Sequence, residues 1–218
     1  MRTRLKLMRA QRAAGFTLIE VIVAMAIFTV LISVSFVAVT QLTRATTSAQ
    51  ARAQSSSAVL VVFQTIDRQV RYASAINYPG VGSTAGVSYI EFFTAAASTN
   101  VGYDVCTQWR YDQTSGVLQM RQWKNGSSPS TFVAKASEIK GSASASYPFT
   151  LLPAVAGGAL YQRLQLALQA GGARTADRTS ITTTYVARNS SIQSVSNADS
   201  NGDAVSDNPV CLPVGARP

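Results

Sequence analysis

One carboxylate, that of Glu20, lies within a long apolar segment near the start of the chain. It is the single formally charged side chain between Phe16 and Val39, and a charge in hydrocarbon costs at least about 2.5 kcal/mol. Phe16 lies one helical turn earlier, so cleavage after Gly15 would place a new α-amino group on the same helical face as Glu20. We expect this amine and the carboxylate to satisfy one another, within one chain or between neighbouring chains. The alternative is that Glu20 lies at the headgroup level of an uncleaved anchor.

The segment that carries Glu20 is long enough to cross a membrane. Residues 16–39 would form a helix of roughly 36 Å at about 1.5 Å per residue, against a hydrocarbon core of about 30 Å. Positive charge at one end of a membrane helix holds that end in the cytoplasm, so the rest of the chain is predicted to lie outside it. The basic residues that precede the segment, with no acidic residue among them, are Arg2, Arg4, Lys6, Arg9 and Arg12.

The junction between leader and helix resembles a known signal. Gly15-Phe16-Thr17-Leu18-Ile19-Glu20, after a short Arg/Lys leader, looks like the class III signal of type IV pilin-like proteins. In that family a prepilin peptidase cuts after the glycine and methylates the new N-terminal phenylalanine. The resemblance therefore implies cleavage between Gly15 and Phe16, methylation of Phe16, and a role for Glu20 in assembly with other pilins.

Two further features bear on the kind of pilin-like protein. Many major pilins carry a proline about twenty residues into the mature helix, whereas the first proline here is Pro79, so a continuous helix is predicted. The segment TTTYVARN, residues 182–189, is similar to the last core strand of minor pilins and of J-type pseudopilins of type II secretion. The resemblance favours one of these two kinds of subunit.

The apolar segment is predicted to continue as an amphipathic helix over residues 40–78. The helix should end before the turn-forming sequence NYPG at residues 77–80. Apolar residues in this part recur at spacings of four, three and four, the pattern of one buried helical face: Val59, Phe63, Ile66 and Val70.

Residues 79–189 are predicted to form an antiparallel β domain, which makes the fold class α+β. The expected architecture is pilin-like: a long N-terminal helix, membrane-spanning in its first half and amphipathic in its second, packed on an antiparallel sheet. Residues 112–116 and 170–177 are predicted turns. The strands predicted from alternation and β-branched content are 87–93, 106–111, 117–123, 160–169 and 180–188.

Two cysteines, Cys106 and Cys211, are predicted to form a disulfide. The compartment outside an inner membrane is oxidising, and the bridge would pin the polar tail, residues 190–218, back to the sheet. In the chain-entropy model, closing a loop of about 100 residues contributes up to about 4.7 kcal/mol. The alternative is two unrelated thiols, and two cysteines without a histidine do not make a metal site.

The sequence offers little catalytic chemistry. It contains no histidine, its downstream acidic residues are scattered, and it has no Gly-rich phosphate loop or nucleophile elbow. We therefore expect no enzyme activity and no cofactor. Calcium is kept as an alternative, because Asp199, Asn201 and Asp203 place oxygen atoms at alternate positions. The glycine offset differs from that of an EF-hand, however, and such tails are usually solvated loops.

The formal charge of +9 raises the question of nucleic acid. Five of the basic residues lie in the leader, residues 1–15, and the remaining chain carries about +4 with no tight basic run. Nucleic-acid binding is therefore compatible with the sequence but is not indicated. Trp109, Tyr111 and Trp123 form either a stacking platform for DNA or a glycan, or part of the core, and the core is the favoured interpretation.

These features predict a non-catalytic structural subunit, a minor pilin or pseudopilin, of a type IV pilus, type II secretion or DNA-uptake filament. The leader (1–15) is cleaved and residues 16–39 form first a transmembrane helix and then the filament core. Expected partners are prepilin peptidase, other pilins or pseudopilins, and an inner-membrane assembly platform. The expected location is the bacterial inner membrane, in a single pass with the globular domain outside the cytoplasm, and then a periplasmic or cell-surface filament.

Two other functions remain open on the sequence. The first is a membrane-anchored or filament-tip binding module for DNA, a glycan or a secreted substrate. The second is an ordinary signal-anchored periplasmic domain without a filament role. The second predicts that the leader stays attached to the mature protein.

Overall fold

The computed structural model describes residues 15–171, 178–213 and 216–218, so the predicted leader lies outside the described residues except for Gly15. The chain divides into two compact units, Met1–Thr47 and Ser48–Pro218. One helix, α1 (Leu18–Tyr72), begins in the first unit and ends in the second. It contains neither glycine nor proline, so the sequence holds no residue that would break it.

α1 ends earlier than predicted. Beyond Tyr72 the chain turns to pair with a strand: Ser74 N–H donates to Phe93 O (2.8 Å) and Asn77 N–H donates to Glu91 O (3.0 Å). The prediction of helix over residues 40–78 was therefore wrong for its last residues. The turn-forming sequence at residues 77–80 marks a point beyond which a helix cannot continue. The long-range pairing with the strand ends the helix before that point.

The first sheet of the described chain has six antiparallel strands in the order β1-β3-β4-β5-β6, with β2 also paired to β3. Its predicted hairpin joins β4 to β5 through a turn in which Asp112 Oδ1 accepts from Thr114 N–H (2.8 Å). Gly116 closes that turn at φ +64°, a backbone conformation that favours glycine. The strands are β1 (Ala75–Ile76), β2 (Gly80–Val81), β3 (Val87–Thr94), β4 (Val105–Asp112), β5 (Val117–Lys124) and β6 (Val133–Ala136).

The second sheet has four antiparallel strands within the described residues, with β9 at its centre. The first long strand begins and ends later in the sequence than the predicted 160–169, and the second begins and ends earlier than the predicted 180–188. Val186 pairs with Arg163, and this pairing sets one end of both strands. Most of the predicted turn, residues 172–177, lies outside the described part. The strands are β7 (Ile139–Lys140), β8 (Phe149–Leu152), β9 (Arg163–Gly171) and β10 (Arg178–Val186).

One core joins the second half of α1 to both sheets. The ring centroids of Phe63 on α1 and Tyr185 on β10 lie 6.3 Å apart, and Trp109 Nε1 on β4 donates to Gln69 Oε1 (2.9 Å). The architecture is α+β, as predicted. The four helix residues predicted to face this core are all buried: Val59, Phe63, Ile66 and Val70.

The chain after β10 returns to the face of the first sheet that lies opposite α1. Gln108 Nε2 donates to Ala216 O (2.9 Å), and the Tyr89 hydroxyl donates to Pro218 O (2.6 Å). The predicted disulfide between Cys106 and Cys211 is present, with their Cα atoms 5.4 Å apart. The tail is therefore attached to the sheet by a covalent bond and by hydrogen bonds.

Candidate functional site

Glu20 lies in the first turn of α1. The Thr17 carbonyl accepts from Glu20 N–H (3.1 Å) and Val21 N–H (3.3 Å), and the Thr17 hydroxyl accepts a longer bond from Glu20 N–H (3.4 Å). Threonine followed three residues later by glutamate is the spacing of a helix capping box. The positive end of the helix dipole also favours a carboxylate here. This cap was not predicted from the sequence, although its signal, T-x-x-E, is present there.

Phe16 and Glu20 border one shallow depression on the surface of the N-terminal unit. Both residues that the sequence predicts to interact therefore border the same depression, although Phe16 lies before the first residue of α1, Leu18, and not within the helix as predicted. An amino group created at Phe16 by cleavage would lie beside the helix turn that holds the Glu20 carboxylate. The other residues of the depression are all apolar: Val21, Ala24, Met25 and Phe28.

Gly15 precedes α1 and is exposed. Among the described residues other than its chain neighbour, no atom lies within 4 Å of the position that a Cβ would occupy at Gly15. A residue with a side chain would fit there. The described part of the fold therefore places no steric demand for glycine at this position.

The hydroxyl groups in the apolar part of α1 are bonded to the helix itself. Thr29 Oγ1 donates to Met25 O (2.7 Å), and Ser33 Oγ donates to Thr29 O (2.8 Å). Ser35 Oγ donates to Leu31 O at 2.8 Å. A hydroxyl satisfied within its own helix does not need water, so these residues are compatible with a hydrocarbon environment.

Every residue from 15 to 47 is exposed. The exposed fraction reaches 81% for Phe16 and 69% for Phe36. The segment Leu18–Gln50 is long and apolar enough to cross a membrane. A continuous apolar surface of this extent indicates a membrane or another protein as its surroundings.

Residues 10–36 match the family model described as the prokaryotic N-terminal methylation motif. Comparison with curated proteins and with solved structures found no match for this chain. The motif includes Gly15, Phe16 and Glu20, and it lies at the start of the long apolar helix. These findings define a membrane-anchored protein with a type IV pilin-like prepilin signal.

The fold agrees with that class, because a long N-terminal helix with antiparallel sheets is a pilin-like architecture. The matched motif spans the leader and the first part of α1, and the β domain lies outside it. A motif of this kind implies processing by a prepilin peptidase and assembly with other pilins.

A second charged site lies in the unit Ser48–Pro218, where Glu91 is fully buried. Arg217 donates to it twice, from Nε to Oε1 (2.9 Å) and from Nη2 to Oε2 (2.5 Å). Asn77 Nδ2 (3.1 Å) and Gln108 Nε2 (2.8 Å) donate to the same carboxylate. Burial lowers the pKa of the Arg217 guanidinium, but the hydrogen bond and charge of Glu91 raise it more, so the net shift is upward. The site fastens the tail to the sheet.

The predicted calcium ligands lie in one exposed loop whose oxygen atoms already accept hydrogen bonds. Asp199 accepts from the backbone N–H groups of Gly202 (2.8 Å), Asp203 (3.1 Å) and Ala204 (3.0 Å). Asn201 Nδ2 donates to Asp203 Oδ2 at 2.9 Å. In the described part of the chain no group of three His, Cys, Asp or Glu side chains could hold a metal. Calcium binding stays a prediction.

The three aromatic residues considered as a stacking platform are core residues. Trp109 and Tyr111 are fully buried, and Trp123 is 7% exposed. Trp123 packs against the disulfide of Cys106 and Cys211. Trp109 and Tyr111 are therefore not available to stack on bases or sugars, and Trp123 exposes only a small part of its surface, which lines a pocket in the β domain. The core interpretation is confirmed.

Proposed function

We propose that this chain is a non-catalytic structural subunit, a minor pilin or pseudopilin, of a type IV pilus, type II secretion or DNA-uptake filament. Prepilin peptidase cuts between Gly15 and Phe16 and methylates Phe16, and the Glu20 carboxylate pairs with the new amine during assembly. One observation carries this proposal. A single carboxylate occupies the first turn of an apolar helix whose residues are all exposed up to residue 47.

Those exposed apolar residues support two successive environments. In the bacterial inner membrane, lipid surrounds the helix, and the β domain lies outside the cytoplasm because the basic leader holds the opposite end inside. In the filament, helices of other pilins or pseudopilins replace the lipid. An inner-membrane assembly platform transfers the subunit from the first environment to the second.

The glycine at position 15 supports recognition by a peptidase. Because the described residues leave open space at the Cβ position of Gly15, a side chain there would be tolerated by this part of the chain. A demand for glycine would then come from an enzyme that closes tightly on the backbone at the cleavage site. Replacement of Gly15 is therefore expected to stop processing without disturbing the fold.

The role of Glu20 is tested by substitution in the producing organism. Glu20→Ala should insert in the inner membrane as the wild type does, because removing the charge makes the helix more apolar. It should be strongly depleted from sheared or purified filaments, since the charge that sets the position of the subunit is lost. Ser33→Ala, in the same apolar segment, is the matched control and should be incorporated normally. Normal incorporation of Glu20→Ala would contradict the proposal.

A binding module anchored by the same helix is the second candidate function. The observation that favours it is a pocket of about 500 Å³ in the β domain, within the 300–1,000 Å³ typical of ligand sites. A filament subunit and a binding protein are compatible functions, since the helix serves assembly and the β domain can bind a ligand.

A further inference from the structure

The pocket of about 500 Å³ lies at one end of the β domain, wholly within the unit Ser48–Pro218. Its walls come from the last turns of α1, from the loop that joins β3 to β4, and from the ends of strands β3, β4 and β5. It does not involve the N-terminal helix segment. An inference drawn from this pocket therefore does not depend on the proposed filament function.

Two walls of the pocket are tied together by a side chain outside it. Asn189 Nδ2 donates to Tyr72 O at the end of α1 (3.1 Å) and to Ser98 Oγ in the β3–β4 loop (2.9 Å). Within the loop, Thr99 Oγ1 donates to Tyr103 O (3.0 Å). These bonds hold the loop against the helix, so the pocket is formed before any ligand arrives.

In each of two amide side chains of the lining, one polar group is hydrogen-bonded within the protein and the other is available to a ligand. Gln69 Oε1 accepts from the indole of Trp109 (2.9 Å), which leaves the Gln69 NH₂ group as a donor. Gln122 Nε2 donates to Thr107 Oγ1 (2.9 Å), which leaves Gln122 Oε1 as an acceptor. A positioned donor and a positioned acceptor suit a ligand hydroxyl, because a hydroxyl both accepts and donates a hydrogen bond.

Aromatic rings supply much of the apolar part of the lining, together with Val101 and Val105. Tyr72 is 50% exposed and Tyr103 is 40% exposed, so both rings can be covered by a ligand. An aromatic face packs well against the C–H groups on one face of a saturated, hydroxyl-bearing ring, and burying it adds affinity. Rings and amides together fit a saccharide.

The charge of the pocket is positive. Among its lining residues Arg68 is the charged one, and Lys124 Nζ lies 5.7 Å from the centroid of the Tyr103 ring at the rim. The nearby carboxylate of Asp104 does not line the pocket and accepts from Ala96 N–H (2.8 Å). A carboxylate or phosphate on the ligand would be attracted here.

We propose that this pocket binds an acidic glycan, meaning a saccharide that carries a carboxylate or phosphate group. The hydroxyl groups pair with the amides of Gln69 and Gln122, the sugar ring covers Tyr72 or Tyr103, and the acidic group meets Arg68. A nucleic-acid strand fits less well, because it requires a row of cations along its phosphates, and Arg68 is the only cation among the described residues of the lining.

The test uses the full chain in detergent micelles, applied to an array of purified neutral and acidic oligosaccharides and to a single-stranded oligothymidine. The wild type should bind acidic glycans more tightly than their neutral counterparts. Arg68→Gln should weaken acidic binding by about tenfold or more and leave neutral binding unchanged, since a hydrogen bond to a charged group contributes about 1.5–3 kcal/mol. Tyr103→Ala should weaken binding to both.

Matched controls lie outside the pocket. Tyr161→Ala removes a ring that is 44% exposed, and Arg188→Gln removes an exposed cation, so both should bind as the wild type does. Thermal unfolding of every variant checks that it is folded. The proposal is overturned if the wild type binds no glycan, if Arg68→Gln and Tyr103→Ala bind like their controls, or if the oligothymidine binds more tightly than any glycan.

Discussion

The two units of this chain differ in where their carboxylates and apolar side chains find partners. In the unit Ser48–Pro218, Glu91 is fully buried and is paired with Arg217 of the same chain. In the N-terminal unit, Glu20 lies among exposed apolar side chains, and the partner predicted for it is an amine that exists only after cleavage at Gly15. The first carboxylate is satisfied by folding, whereas the partner proposed for the second arises only through a processing step.

The same contrast holds for the apolar residues. The stripe of α1 that carries Ile66 and Val70 is covered by the two sheets, whereas Phe28 and Phe36 on the same helix are exposed. Large apolar side chains occur in both parts of α1, but the second part places them on one stripe beside charged residues such as Asp67. The difference shows that folding of the β domain covers one apolar face of α1, whereas the exposed apolar surface of the N-terminal segment indicates a membrane or another protein as its surroundings.

The largest effect is expected from breaking the internal pair. Arg217→Gln leaves the buried Glu91 carboxylate without its counter-charge and should lower the free energy of unfolding of the β domain by about 3–5 kcal/mol. The control, Arg71→Gln, breaks the exposed pair with Asp67 and should cost at most about 1 kcal/mol. Denaturant unfolding of the full chain in micelles measures both. Equal effects of the two substitutions would show that Glu91 does not depend on Arg217.

Introducing an arginine into each part of α1 tests whether the two parts lie in different environments. Phe28→Arg should disfavour membrane insertion by about 2.5–3.5 kcal/mol, because the guanidinium would enter hydrocarbon. Leu60→Arg places the same side chain at a position 56% exposed on the folded unit, where little change is expected. Alkaline extraction of membranes measures the retained fraction of each variant. Equal retention of both would contradict a membrane environment for residue 28.

The smallest effect is expected at the helix cap. Thr17→Ala removes the hydroxyl that accepts from Glu20 N–H and should cost about 1 kcal/mol of local helix stability. Amide hydrogen exchange at Glu20 and Val21 should then be about fivefold faster in micelles. Thr17→Ser keeps the hydroxyl and should exchange like the wild type. Unchanged exchange in Thr17→Ala would show that the long hydroxyl bond contributes nothing.

Sequence patterns were sufficient where structure is local. The alternation of apolar and polar residues predicted β3, β4 and β5. The residues Asp112 to Gly116 predicted the turn of the β4–β5 hairpin. The helical spacing from Val59 to Val70 identified the buried face of α1. Each of these signals is contained within a few residues of the element it describes.

Patterns failed where distant residues decide the structure. The strands β1, β2, β7 and β8 have two to four residues, too few to show an alternation, and they form because a longer strand offers them hydrogen bonds. Glu91 and Arg217 are 126 residues apart in the sequence, and no local motif predicts their pairing. The pocket around Arg68 has the same origin, since its walls come from three separate parts of the chain.

The central claim is that cleavage creates the partner of Glu20. Intact mass and N-terminal sequence of the chain, recovered from membranes of the organism that makes it, test this claim most directly. The account predicts a chain that begins at methylated Phe16. A chain that retains residues 1–15 would contradict it, because Glu20 would then lie in an uncleaved anchor without the amine.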